Sequence, residues 1–214
     1  VTVPPPGYQR RTWQICRKYD VLSLSTEEEP EFGRLGHIFA SKPMFDIAPD
    51  IIISAKGLTS GYVPLGAMLV SDRLFSMLTE TAGKGQFFAN GFTYSAHPVA
   101  CAAGLEDLPL LTQNPQIQQA ADLAPHFETA INGLKGAKHV VDIRNCGLAG
   151  ALQLAPRDGD AIVRPFEAGM ALWKAGFYVR FGGDTLQFGP TFNAKPEELD
   201  RVFDAVGEAL QGIN

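Results

Sequence analysis

Cysteine is scarce in this chain, and its scarcity excludes two kinds of structural framework. The 214 residues contain three cysteines, which lie far apart at Cys16, Cys101 and Cys146. So few and so widely spaced thiols suit neither a disulfide network nor a zinc site, and they are typical of reduced cysteines in the cytosol. The pattern therefore predicts a cytoplasmic protein without a bound metal.

The chain also lacks the charge and hydropathy patterns of nucleic-acid-binding and membrane proteins. Its formal net charge is -5 at pH 7 and it has no cluster of basic residues, so we expect no nucleic-acid partner. No apolar run approaches the ~20 residues that a membrane helix needs, so we expect no membrane association. A Walker A loop, a dinucleotide-binding fingerprint and an HExxH pair are missing as well. The composition, 45% hydrophobic and 19% charged, is that of a globular protein.

Among the residues that are present, one lysine follows a short apolar run. Residues 51–53 are all isoleucine, which favours a buried strand, and Lys56 opens the loop after it. Three glycines and a proline follow in residues 57–66, so little shields the amine from a ligand. Partial desolvation lowers a lysine pKa and frees the amine to form a Schiff base with a carbonyl. A surface lysine in a turn is the alternative that this segment leaves open.

A second unusual segment is acidic. Four of the five residues 27–31 are glutamates, and the fifth, Pro30, cannot continue a helix or donate to a sheet. Because like charges repel, this composition taken alone predicts a solvated acidic loop.

The hydropathy pattern predicts an α/β fold that changes character near Asn114. An alternating part, residues 1–113, is followed by an α+β part, residues 114–214. The predicted helices are 7–19, 73–81 with Asp72 as N-cap, 98–111, 117–134, 165–174 and 196–210. The predicted strands are 21–25, 51–54, 65–71, 139–143, 148–154, 177–180 and 185–188. Residues 83–85, Gly-Lys-Gly, have the composition of a flexible linker.

Two further residues are candidates for binding anions. Thr93 lies shortly before Pro98, which suits the first turn of a helix, and hydroxyls and free amides at a helix start bind phosphate well. Arg180 ends an apolar predicted strand and is followed by two glycines. Its planar guanidinium suits a two-point contact with a carboxylate. A solvated arginine at a strand end is the alternative.

Three separately placed motifs resemble those of the class III aminotransferases, which depend on pyridoxal phosphate. Residues 55–67, Ala-Lys-Gly-Leu-Thr-Ser-Gly-Tyr-Val-Pro-Leu-Gly-Ala, resemble the motif of the cofactor lysine. Residues 91–98 fit the same family, and residues 178–184 resemble the carboxylate-binding strand of the ω-amino acid (β-alanine):pyruvate aminotransferases. Members are roughly twice as long as this chain. The resemblance therefore implies a C-terminal half with the fold type I architecture: part of the large cofactor-binding domain in residues 1–113, and a small α+β domain in residues 114–214.

The resemblance also implies roles for individual residues. Lys56 would carry pyridoxal 5'-phosphate as an internal aldimine and act as general base and acid. Thr93 would bind the cofactor phosphate of a neighbouring subunit, and Arg180 would hold the substrate carboxylate. The expected reaction moves an amino group from a small-molecule donor such as β-alanine to a keto acid such as pyruvate. The expected assembly is a homodimer or a higher homo-oligomer.

The acidic segment departs from the family pattern. Family members carry Asp-Glu-Val there, with the aspartate against the pyridine nitrogen and the valine against the ring. By alignment, Thr26 takes the aspartate position, Glu27 matches the glutamate and Glu28 replaces the valine. A hydroxyl cannot keep the ring nitrogen protonated as a carboxylate does. A catalytically impaired fragment or a non-catalytic interaction module is therefore the rival interpretation. If the strand continues, Glu28 shares the face of Thr26 and is the nearer replacement.

Overall fold

The computed structural model of the protein describes residues 2–80, 91–113 and 115–214. The helices of the described residues are α1 (Tyr8–Lys18), α2 (Ser41–Phe45), α3 (Asp72–Glu80), α4 (Pro98–Gln113), α5 (Gln116–Asn132), α6 (Val163–Lys174) and α7 (Pro196–Gly212). The strands are β1 (Leu24–Thr26), β2 (Ile51–Ser54), β3 (Ala67–Val70), β4 (Val140–Cys146), β5 (Ala149–Leu154), β6 (Arg180–Gly182) and β7 (Thr185–Phe188). A 3-10 turn spans Lys56–Thr59. The predicted linker at residues 83–85 and the boundary residue Asn114 lie outside the described residues.

The chain divides into two compact units. The amino-terminal unit contains Pro4–Phe32 and His37–Pro115. The carboxy-terminal unit contains Gln116–Asn214 and also takes in Val1–Val3 and Gly33–Gly36.

A three-stranded sheet with the order β1-β2-β3 organises the amino-terminal unit. Strands β1 and β2 run parallel, and their register places Leu24 opposite Ile51 and Thr26 opposite Ile53. Strand β3 pairs antiparallel with the other edge of β2. The β-branched isoleucines therefore form the central strand, as expected for residues that fit a pleated, partly buried surface. Because β1 and β2 are parallel, their carboxyl ends lie at the same edge of the sheet.

One buried carboxylate, Asp50, holds the elements of this sheet together. Its side chain accepts hydrogen bonds from the backbone N–H and hydroxyl of Ser23, at 2.8 Å and 3.0 Å. It also accepts hydrogen bonds from the guanidinium groups of Arg17 and Arg73, both at 3.0 Å. Burial alone would raise the pKa of Asp50, but Ser23, Arg73 and Arg17 together hold it well below its ordinary value. The carboxylate thus links α1, the approach to β1, the start of β2 and α3.

Two sequence-based expectations for this unit were wrong in detail. The predicted strand 21–25 is shifted, since β1 spans Leu24–Thr26. The shift arises because Val21 still donates its backbone N–H to Cys16 at the end of α1 and Ser23 bonds to Asp50. The predicted N-cap of α3 is wrong as well. Ser71 lies before the helix and its hydroxyl accepts the backbone N–H of Leu74 at 3.4 Å, as an N-cap does.

The carboxy-terminal unit packs α5, α6 and α7 against one face of a four-stranded antiparallel sheet, in the order β4-β5-β7-β6. Apolar residues recur on the inner faces of these elements because strands alternate and helices repeat every 3.6 residues. The core residues that are fully buried include Phe127, Ile131, Leu148, Leu152, Leu172, Leu186, Val206 and Leu210.

The segment Gly33–Gly36 is bound to this unit by Arg34. The carbonyl oxygen of Arg34 accepts the backbone N–H of Leu148 at 2.9 Å. Its guanidinium donates to the carbonyl oxygen of Pro190 at 2.5 Å and lies 4.8 Å from the centre of the Phe192 ring. Burial lowers the pKa of Arg34. A long cationic side chain therefore packs its length against the unit while its donors find carbonyl oxygens.

The predicted strand 177–180 lies too early in the sequence, because β6 begins at Arg180, three residues later than predicted, and ends at Gly182, two residues later. Its partner β7 matches the predicted strand 185–188. None of the helices in the described ranges has both the length and the apolar character needed to cross a bilayer.

Candidate active site

Lys56 lies directly beyond β2, at the edge where the carboxyl ends of β1 and β2 meet. It begins the 3-10 turn with a positive φ of 39°. Its side chain is 54% exposed, and it borders an open cavity of about 680 Å³. The other residues that line this cavity are Ala55, Thr59, Gly61, Val63, Pro64, Leu65 and Gly66. A ligand in this cavity can therefore reach the amine of Lys56.

The turn that carries Lys56 is held by close packing around two glycines. A Cβ added at Gly57 would lie 2.8 Å from the Phe32 ring, too close for any side chain there. On α4, a Cβ at Gly104 would lie 3.2 Å from Leu65 and 3.4 Å from the carbonyl oxygen of Leu58. Small residues at both positions let the ring and the helix approach the turn, which fixes the position of the lysine backbone.

The acidic segment after β1 is partly buried, so the expectation of a wholly solvated loop was wrong. Glu27 is 1% exposed. Its carboxylate accepts the backbone N–H groups of Ala40 at 2.5 Å and Ser41 at 3.0 Å, and also the hydroxyl of Ser41. These bonds place a negative charge at the start of α2, where free backbone donors favour it. Glu27 is thus fully engaged away from Lys56.

Glu28 and Glu29 approach Lys56 instead. The lysine Nζ lies 3.0 Å from a carboxylate oxygen of Glu29 and 3.6 Å from one of Glu28. The strand ends at Thr26, and residues 28–30 form a turn, so the face that Glu28 occupies is not set by strand alternation as predicted. The turn brings Glu28 to the lysine amine.

Glu31 is a buried carboxyl group next to the lysine turn. Its Oε1 accepts the backbone N–H of Ala55, the residue before Lys56, at 2.8 Å. Burial raises the pKa of Glu31, and the neighbouring charges of Glu27 and Glu28 add to the effect; the hydrogen bond from the backbone of Ala55 opposes it. The side chain therefore ties the end of the acidic segment to the end of β2.

Thr26 and Thr93 lie in the same unit as Lys56 without bonding to it. Thr26 is exposed at the end of β1. Its partner across the strand pair is Ile53, which precedes Lys56 by three residues. Thr93 is exposed in a turn before α4, where the backbone N–H of Phe92 donates to the hydroxyl of Ser95 at 2.8 Å. Within the described ranges, neither threonine side chain has a hydrogen bond to another residue.

Arg180 belongs to the carboxy-terminal unit and starts the edge strand β6. It is exposed, and its partner across the strand pair is Gln187 on β7. Among the described residues, its guanidinium forms no ion pair and no hydrogen bond. The donors of Arg180 are therefore free to bind an anionic ligand.

Sequence reasoning missed three residues that shape these sites. Asp50 could have been recognised as an acid directly before an apolar run. Gln187 could have been recognised from the alternation of polar and apolar residues along β7. The buried position of Glu31 has no local signal, because it depends on contact with the end of β2. In the ranges that the structure describes, no group of three or more His, Cys, Asp or Glu side chains could hold a metal ion.

Comparison with known sequences identifies relatives along the whole chain. A sequence model of the family described as Aminotransferase class-III matches residues 1–210. The chain is 57% identical to a β-alanine–pyruvate aminotransferase of Pseudomonas aeruginosa and 58% identical to an ω-amino acid–pyruvate aminotransferase of Pseudomonas putida. Each alignment covers 100% of this chain and 48% of the relative. The chain therefore spans about half the length of these relatives.

Comparison with solved structures agrees with this. The chain superposes with a TM-score of 0.91 on an amine transaminase from an uncultivated Pseudomonas species, solved in its PLP-bound, internal aldimine form. The two share 30% sequence identity, and the match covers 99% of this chain and 49% of the other. The α/β fold class predicted from the sequence is confirmed, and the chain belongs to the class III aminotransferase family.

Proposed function

We propose that this chain supplies the C-terminal half of a pyridoxal-phosphate-dependent transaminase that transfers an amino group between an ω-amino acid, such as β-alanine, and pyruvate. The observation that supports this most strongly is the position of Lys56. It lies beyond the carboxyl ends of two parallel strands, beside an open cavity, and within a motif typical of the family. The printed activities of the Pseudomonas relatives supply the substrate class.

The residues at this edge of the sheet fit the aldehyde of the cofactor better than its pyridine nitrogen. Lys56 offers a primary amine to an aldehyde, in a cavity of about 680 Å³. At the position where the family has an aspartate against the pyridine nitrogen, Thr26 would offer a hydroxyl rather than a carboxylate. When bound, the cofactor would serve as the electron sink for the carbon that loses its proton. The neutral side chain at Thr26 weakens that capacity, because the sink depends on a protonated ring.

Each remaining side chain has a defined task in this proposal. Lys56 would hold the cofactor covalently through its amine; once the amine of the substrate has displaced it from that bond, its free amine would take and return the proton of the substrate carbon. Thr93 would bind the phosphate of the cofactor across a homodimer interface, together with free backbone amides in the first turn of α4. Arg180 binds the carboxylate shared by the amino donor and the keto acid through two parallel N–H···O bonds. A cytoplasmic location is part of the same proposal.

A rival proposal is that the chain is catalytically impaired and acts as an interaction module. Two observations favour it. By the motif resemblance Thr26 takes the position of the family aspartate, and in the structure the amine of Lys56 is paired with Glu28 and Glu29. An amine held in ion pairs with two carboxylates is not free to attack an aldehyde. These ion pairs are exposed, however, and exposed pairs contribute only about 0–1 kcal/mol, so a tightly bound ligand can displace them.

The test is covalent labelling of the chain with pyridoxal phosphate. The protein is mixed with the cofactor, reduced with borohydride and digested for peptide mapping. We expect one dominant label on Lys56. Before reduction, at near-neutral pH, the mixture should also show an absorbance band of the lysine–cofactor adduct, and this band should be lost in Lys56→Ala. Lys42→Ala is the matched control, since Lys42 is an exposed lysine of the same unit, 2.7 Å from Asp46. Labelling spread evenly over the surface lysines would favour the interaction module.

A further inference from the structure

The side chain across the strand pair from Arg180 is Gln187. Strands β6 and β7 are antiparallel, and their register places Arg180 opposite Gln187 and Gly182 opposite Thr185. Opposed residues in an antiparallel pair project from the same face with Cβ atoms about 4.5–5.5 Å apart. Gln187 is therefore the nearest cross-strand neighbour of the residue that we assign to the carboxylate.

A short hydrogen-bond relay fixes the orientation of the Gln187 amide. The hydroxyl of Thr185 donates to the carbonyl oxygen of Gly182 at 3.0 Å, which uses its single proton. Thr185 Oγ1 can then only accept, and it does so from Gln187 Nε2 at 3.2 Å. Thr185 is 6% exposed, so water does not compete freely for this bond. The relay determines which end of the amide is nitrogen and directs Oε1 away from Thr185.

The lateral neighbours of Gln187 decide what its oxygen can bind. On one side the register places Ala151 of β5, which has no side-chain donor; on the other it places Arg180 of β6, whose guanidinium has five. Gly182 leaves the space beside the amide open, since a Cβ there would lie 3.6 Å from Nε2. Of these two cross-strand neighbours, Arg180 is therefore the one whose side chain can donate a hydrogen bond to Gln187 Oε1.

We propose that Gln187 is a positioning residue that selects for carboxylate substrates by orienting Arg180. In the carboxylate-bound state its Oε1 accepts one guanidinium N–H and leaves the opposite edge of the guanidinium for two parallel bonds to the substrate. The inference rests on the proposed function of Arg180. The neutral amide matters, because a carboxylate at position 187 would pair with Arg180 and repel the substrate.

The experiment follows the Nε–Hε resonance of Arg180 by NMR in the 214-residue chain, with Arg180→Ala used to assign the peak. Propionate serves as a carboxylate probe and bromide as a spherical anion. We expect Gln187→Leu to weaken propionate binding about threefold to tenfold, the equivalent of one net hydrogen bond, and to leave bromide binding unchanged. Gln187→Glu should weaken both anions. Thr185→Val, which removes the relay from its other end, should reproduce the selective loss of propionate.

The controls separate orientation from structural damage. Arg201, an exposed arginine of α7, gives an internal reference peak that the variants should leave unmoved. Unchanged propionate binding in Gln187→Leu, or equal weakening of both anions, would overturn the inference. No propionate response of Arg180 in the wild-type chain would also overturn it. A cofactor label on Lys56 in the same preparation would then show that the proposed cofactor site survives while the role of Arg180 fails.

Discussion

Thr26 places a neutral hydroxyl at the sheet edge where Lys56 begins its turn. Glu27 cannot supply the missing charge, because its carboxylate is buried against the backbone of Ala40 and Ser41. The carboxylate of Glu28 does lie near the site, but it pairs with the amine of Lys56, at 3.6 Å. Under the proposed function, neither Glu27 nor Glu28 therefore replaces the carboxylate that Thr26 lacks.

The first prediction is that Thr26→Asp raises catalytic activity. An opposite charge within ~4–6 Å shifts a pKa by about 1–3 units, and each unit corresponds to about 1.4 kcal/mol. We expect half-transamination to accelerate on the order of tenfold to a thousandfold. The measurement is a spectroscopic half-reaction in a two-chain preparation that includes the amino-terminal half of the Pseudomonas aeruginosa relative. Thr26→Asn is the control, since it matches aspartate in size but adds no charge. Equal rates in both variants would contradict the prediction.

The second prediction concerns Asp50, whose carboxylate is buried among Ser23, Arg17 and Arg73. Its pKa is lower in the folded chain than in the unfolded chain, so its stabilising effect is present above about pH 4 and is lost as the pH falls below that value. Asp50→Asn removes the charge that Arg17 and Arg73 share, although Arg17 keeps its bond to the carbonyl oxygen of Ala48 and Arg73 its ion pair with Asp20. Because both arginines are also partly exposed, we expect a loss of about 1.5–3 kcal/mol at pH 7. Urea unfolding at pH 7 and at pH 3 measures both effects, and the variant should differ less from wild type at pH 3.

Asp46→Asn is the matched control for Asp50. Bonds from Lys42, and the charge of Arg10, lower the pKa of Asp46 too, but its carboxylate is exposed. Its backbone is left-handed, with φ of 50°, a conformation that asparagine tolerates. A loss of stability in this variant as large as that in Asp50→Asn would show that charge alone, and not burial, accounts for the effect.

At the scale of single residues, the sequence predicts what a local motif contains. Lys56 after an apolar strand and Arg180 before two glycines are both recognisable from their neighbours. The buried state of Glu27 is not, because it depends on the backbone of Ala40 and Ser41, thirteen and fourteen residues away. The composition of residues 27–31 predicted a solvated segment, because composition gives the number of charged residues but not the groups that they contact in the fold.

At the scale of elements, the turn after β2 depends on the ring of Phe32 packing on Gly57. The third prediction is that Gly57→Ala destabilises the amino-terminal unit by about 1–3 kcal/mol, the usual cost of overpacking. The added Cβ would lie 2.8 Å and 3.0 Å from atoms of Phe32, so ring or turn must move. Because Lys56 is the preceding residue, cofactor labelling of Lys56 should fall in the same variant.

Gly66→Ala provides the comparison for Gly57. Gly66 lines the same cavity, but a Cβ there would meet the carbonyl oxygen of Ser54 at 3.6 Å, an ordinary contact. Thermal unfolding and labelling of this variant should stay close to wild type. If the two alanine variants behave alike, the packing of Phe32 does not position the lysine turn.

The observed strand ends show which element bounds could be predicted from the sequence and which could not. The apolar run of β2 and the alternation of β7 were predicted with their observed bounds. The short strands β1 and β6 were displaced, because three-residue strands contain too little pattern to mark their ends. Their limits are set by pairing with β2 and β7, which is a property of the sheet rather than of the segment.

At the scale of the whole molecule, the two units differ in how much apolar core they contain. The main core cluster lies entirely within the carboxy-terminal unit and includes Phe127, Leu152 and Leu186, all fully buried. In the described part of the amino-terminal unit, few apolar residues are buried, namely Phe32, Ala40, Ile47, Ala100 and Leu111. Since buried apolar area is the main source of stability, the carboxy-terminal unit should be the more stable of the two.

The last prediction is that the units lose structure separately, the amino-terminal unit first. Hydrogen exchange followed by mass spectrometry across a urea series should show peptides from residues 37–80 exchanging at lower urea than peptides from residues 116–214. Leu152→Ala removes a fully buried core side chain and should destabilise the carboxy-terminal unit by about 2–5 kcal/mol. Asp50→Asn should act on the amino-terminal unit alone, because the side chains bonded to Asp50 all belong to that unit. Each variant thus serves as the control for the other. If either variant shifts the exchange of both sets of peptides equally, the chain unfolds as one cooperative unit and the prediction is wrong.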